Sequence, residues 1–370
     1  MNTAVEPRVT EYLYQKAAAA GVPLSGTFEL TPVCNMDCKM CYVRISRQQQ
    51  ESIAPLKTAK EWLELGERAK QAGMLYLLLT GGEPFLHPQF REILEGLHKM
   101  GLLISINSNG TLIDESTVAW LKECPPVRIN ISLYGVSDDT YGTLCGNPKG
   151  FTQTVRAIDL LQQAGIPVKL NCSLTPQNAP YLKEMIAFAQ KRNLQIQVAG
   201  YMFPPVRKPE HTTDESVRLS PEEAAWYTAY SEYLLVGKER FLEKGCQMAT
   251  ICDPEEDIGR QGDVMRCRAG RCSFWITWQG QMTPCGMFPP EGSPNVFTED
   301  FNTTWAAVKA RVAQIHLPAP CADCSAKSIC RACGAMVVAE SGSFDKVPRY
   351  RCRMMQVYPQ MWERVKEEIQ

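Results

Sequence analysis

Cys34-Asn35-Met36-Asp37-Cys38-Lys39-Met40-Cys41-Tyr42 places three thiols at C-x3-C-x2-C spacing directly after an apolar run. Three thiolates hold three irons of a [4Fe-4S] cube and leave the fourth iron without a protein ligand, which keeps the centre open to another molecule. A zinc knuckle is the competing reading. A structural zinc site needs four ligands, and the nearest His in the chain is His87.

With Met40 just before the last Cys of the triad, Tyr42 just after it, and Gly81-Gly82-Glu83-Pro84 following a second apolar run, the chain resembles the radical S-adenosylmethionine (SAM) superfamily. The resemblance implies that SAM chelates the open iron and that one electron cleaves its sulfonium to a 5'-deoxyadenosyl radical. That radical abstracts hydrogen from an unactivated C–H bond.

The 370 residues suffice for one large core and a smaller module. Net charge is 39 − 40 = −1, which gives no electrostatic reason to expect nucleic acid or an anionic membrane. No apolar run has the length of a membrane span, and the start lacks a signal layout, so a cytoplasmic protein is expected. In a reducing compartment sixteen cysteines are not a disulfide framework, and metal or cluster ligation is the simpler use for most of them.

Residues 1–24 read as a short helix and lead-in, without room for a separate leader-binding domain. From Thr27 onward, strand-like runs at 27–31, 75–79, 102–106, 127–133, 167–172 and 194–199 alternate with helical patterns. Thr58 and Glu61 form a capping box ahead of Trp62, Leu65 and Ala69, while Phe90, Ile93, Leu94 and Leu97 mark the next helix. Gly73, Gly101 and Gly165 suit helix ends. This alternation predicts an α/β fold, a partial (β/α)6 TIM-like barrel spanning 25–203 with right-handed crossovers. Ligands gather at the carboxyl ends of such strands. The thiol loop, Gly81-Gly82-Glu83-Pro84, Asn109-Gly110 and Ser132 all fall there.

Gly81 and Gly82 allow close backbone approach to a ligand, and Glu83 or a free carbonyl can accept from the SAM ammonium; an ordinary tight turn is the plainer alternative. The resemblance implies Asn109 near the ribose and Ser132 near the SAM carboxylate. Relatives commonly carry Arg shortly after the fourth strand, where this chain has Cys145. A proline-rich connection begins at 204, and the segment 204–264 reads as linker and helical connection. Within it Ser220-Pro221-Glu222-Glu223 opens a helix expected to reach about Lys244, with Trp226, Tyr227, Tyr230 and Tyr233 as packing residues or a substrate wall.

A second cysteine field comprises Cys267, Cys272, Cys285, Cys321, Cys324, Cys330, Cys333 and Cys352, eight thiols, the number two fully ligated cubes require. Interleaved zinc ribbons use the same C-x2-C pairs. Together with Gly280 before Cys285, the layout resembles the SPASM extension of radical SAM enzymes, although two residues rather than three separate Cys330 from Cys333. The resemblance implies one auxiliary [4Fe-4S] cluster on Cys267, Cys272, Cys285 and Cys333, and another on Cys321, Cys324, Cys330 and Cys352, making three clusters in all. This SPASM domain would span 265–352, with a C-terminal helix over 353–370. Cys246 and Cys252 are rivals for the first pair. Cys124, Cys145 and Cys172 read as small buried side chains.

The first functional reading is a SPASM enzyme that oxidatively modifies a peptide or protein side chain, forming a thioether or carbon–carbon crosslink. It would be served by a flavodoxin- or ferredoxin-type electron donor, with the substrate either brought by a separate leader-binding protein or held directly. A sulfatase-maturing enzyme is the second reading; that group carries an Asp base after the cysteine corresponding to Cys285, and here Gly286 stands there. Oxidative decarboxylation of a tetrapyrrole is a third, and a zinc-stabilised interaction protein without catalysis a fourth. No catalytic acid or base is identifiable from the residues.

Overall fold

The computed structural model describes residues 9–205, 207, 215–246, 265, 267–322, 324 and 326–369. Residues 1–8 of the lead-in, Cys252, and Val206 and residues 208–214 of the proline-rich connection lie outside these.

Six strands form where short β-branched and aliphatic runs sit between helical stretches: β1 (Ser25–Glu29), β2 (Tyr76–Thr80), β3 (Leu103–Ser108), β4 (Arg128–Ser132), β5 (Val168–Ser173) and β6 (Gln195–Ala199). Each pairs in parallel with the next. Period-two alternation then sorts their side chains by face. Phe28, Leu77, Leu79, Ile104, Ile106, Ile129, Ile131 and Leu170 bury themselves in one large core against the helical layer. The alternate positions, among them Glu29, Thr80, Asn107, Asn130, Asn171 and Gln197, put polar groups on the opposite face. Asn130 donates to the Asn107 side chain across that face at 2.8 Å.

The helices follow their local signals. Thr58 caps Ala59–Gln71 with the expected capping box to Glu61, and the buried residues are Ala59, Trp62, Leu65, Gly66 and Ala69. Gly73, Gly101 and Gly165 each take a positive φ just past a helix. Ser220 caps Pro221–Val236 through a capping box with Glu223. The expectation that this helix reaches Lys244 is corrected: it stops at Gly237, whose φ of 84° and ψ of 163° lie outside helical space, and Lys238–Lys244 forms a separate helix. Trp226 stacks on Tyr230 with centroids 4.6 Å apart, and both pack against the core.

Beyond the six expected strands, the sheet continues into the cysteine-rich region. β7 (Ser273–Ile276) pairs in parallel with β1, and the short β8 (Met282–Thr283) pairs antiparallel with β7. The strand order is β6-β5-β4-β3-β2-β1-β7-β8, so this is one open sheet in which the free edge of β1 is taken by later sequence. The terminal helix, Arg349–Ile369, begins before Cys352 and packs on Pro221–Val236.

Candidate functional site

The carboxyl ends of β1 to β4 converge on the thiol loop. Gly82 N–H donates to Thr31 O at 2.7 Å and Glu83 N–H to Val33 O at 2.9 Å, so the turn after β2 lies directly on the backbone leading to Cys34. A Cβ on Gly82 would stand 2.5 Å from Val33 O and 2.7 Å from Pro32 O, and one on Gly81 would meet Thr31 O. The two glycines are therefore required by backbone packed on backbone. Pro84 is buried and opens a short 3-10 turn, Pro84–Leu86.

Glu83 is fully buried. Its carboxylate accepts from Ser108 Oγ at 2.9 Å, Asn109 N–H at 2.8 Å and Phe85 N–H at 3.3 Å. Through Ser108 and Asn109 the carboxylate braces the loop after β3. Burial raises its pKa to about 7 against the opposing pull of those hydrogen bonds.

Asn109 carries the brace onward. Its Nδ2 donates to Asn35 Oδ1 at 2.9 Å and lies 3.6 Å from Cys34 Sγ, while Asn35 donates to Thr111 Oγ1 at 2.8 Å. Two backbone amides also point at the thiols, Met36 N–H to Cys34 Sγ at 3.4 Å and Arg44 N–H to Cys41 Sγ at 3.3 Å. The far side of the loop runs along the helix Asp138–Cys145, with Asp37 N–H donating to Cys145 O at 2.8 Å and Lys39 N–H to Leu144 O at 3.0 Å. Met40, Cys34, Cys38 and Tyr134 pack around a small core of Met36, Tyr141, Leu144 and Cys145. Ser132 ends β4, and its carbonyl accepts from Tyr141 Oη at 3.2 Å.

The second field also gathers. Cys285 lies within electrostatic reach of Cys333 and Cys267, Cys333 of Cys267, and Cys272 of Cys267. Separately, Cys352 feels Cys321, Cys330 and Cys324. Cys246 faces Glu363 and Glu232, not the thiols of either group. Cys124 and Cys172 are buried, donating to Trp120 O and toward Met185 Sδ respectively. Among the described residues, no three His, Cys, Asp or Glu side chains close round a position for one metal ion, so the donor sets carry the case for a metal group.

The sequence pattern of the radical SAM superfamily matches residues 28–189, from the end of β1 through the thiol loop and the strands that brace it. The chain carries a radical SAM domain over these residues. Among similar proteins, the AdoMet-dependent heme synthase of Methanosarcina barkeri is 24% identical over 348 residues, covering 88% of this chain and 95% of that protein. The subtilosin biosynthesis protein AlbA of Bacillus subtilis is 27% identical over 285 residues, covering 76% of this chain and 59% of that protein. In fold, Streptococcus suis SuiB bound to its precursor peptide SuiA superposes with a TM-score of 0.66 at 19% identity, covering 95% of this chain and 82% of that one.

Burial and mutual repulsion disfavour the thiolate form of the clustered cysteines. Burial pushes Cys34 up to about 12, with Glu83, Cys38 and Cys41 adding to the rise. Cys38 is raised by its hydrogen bond with the Cys145 thiol and by burial. Burial takes Cys285 to about 12 and Cys272 to about 11. Nearby arginines oppose the rise only in part, Arg268 and Arg271 at Cys272 and Arg207 at Cys285.

One cluster of residues escaped the sequence reading. Glu29, at the end of β1, receives a bidentate ion pair from Arg207, with Nη1 to Oε2 at 2.6 Å, Nη1 to Oε1 at 2.8 Å and Nη2 to Oε2 at 2.8 Å. Trp275 Nε1 of β7 donates to the same carboxylate at 3.1 Å, and Arg207 Nε to Gly286 O at 3.3 Å. The partners lie up to 246 positions apart, and no local pattern announces such contacts.

Proposed function

We propose that this radical SAM enzyme binds SAM at a [4Fe-4S] cluster held by Cys34, Cys38 and Cys41, and oxidatively modifies a peptide or protein side chain by thioether or carbon–carbon crosslinking. Two further [4Fe-4S] clusters would be held by Cys267, Cys272, Cys285 and Cys333, and by Cys321, Cys324, Cys330 and Cys352. What supports this reading is that Cys34, Cys38 and Cys41 share one loop at the strand ends, while Cys285 lies near Cys267 and Cys333, and Cys352 near Cys321, Cys324 and Cys330. An incomplete set keeps one iron open, and complete sets close.

When bound, the reduced cluster supplies the electron that splits SAM. The protein's part is to hold the loop and the cofactor. Met40 and Tyr42 flank Cys41, Gly81, Gly82 and Pro84 shape the neighbouring turn, and Asn109 and Ser132 line the next two strand ends. The SAM ammonium would be received by Glu83 or a free backbone carbonyl of the turn. Net oxidation removes one hydrogen atom from the substrate to the deoxyadenosyl radical, then a further electron and proton. The auxiliary clusters offer a route for that electron, and a flavodoxin- or ferredoxin-type protein would supply the first one. We assign 25–203 to the barrel and 265–352 to the auxiliary-cluster region, in a protein acting in the cytoplasm. Among the described residues no helix is long and apolar enough to cross a membrane.

AlbA, a peptide-antibiotic biosynthesis protein by name, and SuiB, solved with a precursor peptide, support a peptide substrate. The formylglycine alternative is weakened at Gly286, which stands where that group carries its Asp base. A tetrapyrrole substrate is the second reading, favoured by the heme synthase match along 95% of that protein. Incubating the reconstituted enzyme with SAM, reductant and either short precursor peptides encoded beside its gene or a propionate-bearing tetrapyrrole separates the two. The expected product is a peptide lacking two hydrogens by mass; loss of carbon dioxide from the tetrapyrrole alone would replace the peptide reading.

A further inference from the structure

Glu29 and Arg207 are almost entirely withdrawn from water, at 1% and 8% side-chain exposure. Removing two charges from water costs about as much as, or more than, their attraction returns, so a buried pair is poorly explained by stability alone. Its position suggests another use. The Arg207 guanidinium lies over the ring of Tyr42 at 5.5 Å and over that of Trp275 at 5.7 Å. Tyr42 directly follows Cys41, and Gly286, whose carbonyl Arg207 Nε engages, directly follows Cys285. The Tyr42 hydroxyl is within electrostatic reach of both Cys41 and Cys285, and Cys285 is within reach of Arg207.

We propose that Arg207, seated on Glu29, is a positioning residue that clamps the loop bearing Cys285 against the loop bearing Cys41 and holds a neutral ion pair between the two thiol fields. The guanidinium fork suits this task because it binds a carboxylate bidentately while its faces stack on rings and its Nε reaches a carbonyl. Lysine offers a point charge without that geometry. The inference rests on the iron-sulfur reading of both fields, and it assigns each half of the pair an opposite electrostatic effect on the neighbouring auxiliary cluster.

The test uses the anaerobically reconstituted full chain and follows the reduction midpoint of the cluster signals by EPR-monitored titration. Arg207→Gln leaves an unbalanced buried carboxylate, which disfavours the reduced state and moves the midpoint of the auxiliary cluster at Cys285 to more negative potential. Glu29→Gln leaves an unbalanced cation and moves it the other way. Each shift should be about tenfold in the oxidised-to-reduced ratio, assuming an effective dielectric near 20 and a separation of about 10 Å. The double variant should return close to the native midpoint while altering the magnetic coupling between reduced clusters, because the charge is balanced but the clamp is gone. Arg207→Lys keeps the charge and serves if the Gln variants lose iron: it should leave the midpoint in place and still change the coupling. Midpoints that do not move, or that move in the same direction in both single variants, overturn the clamp, as does unchanged coupling in Arg207→Lys. Absence of any cluster signal in the native chain instead removes the iron-sulfur reading beneath it.

Discussion

The two thiol fields are built in opposite ways. Cys34, Cys38 and Cys41 lie within a single loop, and that loop is tied to strand ends on one side by Asn109 and Glu83 and to the helix Asp138–Cys145 on the other. The second field draws Cys272 from the lead-in to β7, Cys285 from a turn after β8, Cys330 from the short helix Lys327–Cys330, and Cys352 from the terminal helix. A local triad is placed by a scaffold that exists without it. A dispersed set instead joins distant segments, so a metal group bound there contributes to folding itself. Under the proposed reading this is a division of labour, with the first field serving an exchangeable ligand and the second a permanent one.

The largest effect that could break this contrast concerns SAM itself. Replacing Cys41 by Ala should abolish 5'-deoxyadenosine formation, whereas Cys324→Ala should retain cleavage and lose the modified product; chromatographic quantitation of both compounds reads the difference. Product retained in Cys324→Ala would show that this group is dispensable. Next in size is iron removal. On chelation, amide hydrogen exchange should rise at least about tenfold, equivalent to about 1.4 kcal/mol, in Gly334–Ser341 before any change in β2–β4. Simultaneous loss in both would mean that the barrel depends on metal as much as the tail does.

A change of comparable size isolates the brace of the first field. Glu83 holds its proton up to about pH 7 when folded and only to its ordinary 4.5 when unfolded, so the folded form binds more protons across that window. Stability should therefore fall as pH rises from about 4.5 to 7, by roughly 3 kcal/mol. Urea unfolding at both ends of the window should show this slope in the native chain and its loss in Glu83→Gln. Equal slopes would place the proton elsewhere. The smallest change expected is that of Gly286→Asp, whose Cβ meets the Trp275 indole at 2.9–3.0 Å. Overpacking of this kind costs about 1–3 kcal/mol, measurable as a lowered thermal midpoint; an unchanged midpoint would show that Trp275 yields freely.

Much of the barrel was legible because its signals are local. The capping boxes at Thr58 and Ser220 and the positive-φ glycines at 73, 101 and 165 stand where the residue types place them. Strand limits differ by one or two residues, as at β2, expected over 75–79 and found over Tyr76–Thr80, because pairing registers set the ends. β7 was not legible: four residues are too short for a pattern, and their partner β1 is some 250 positions earlier. The same reason hid Arg207 and Glu29. The brace from Glu83 to Ser108 and Asn109 was equally hidden, because it depends on how two loops meet.

Reductive cleavage of SAM by the intact protein tests the central claim most directly. Anaerobically reconstituted enzyme should hold about twelve irons per chain and, given SAM and a strong one-electron reductant, release methionine and 5'-deoxyadenosine. An iron-loaded preparation that yields no 5'-deoxyadenosine, or one saturated by zinc with no iron bound, would contradict the account.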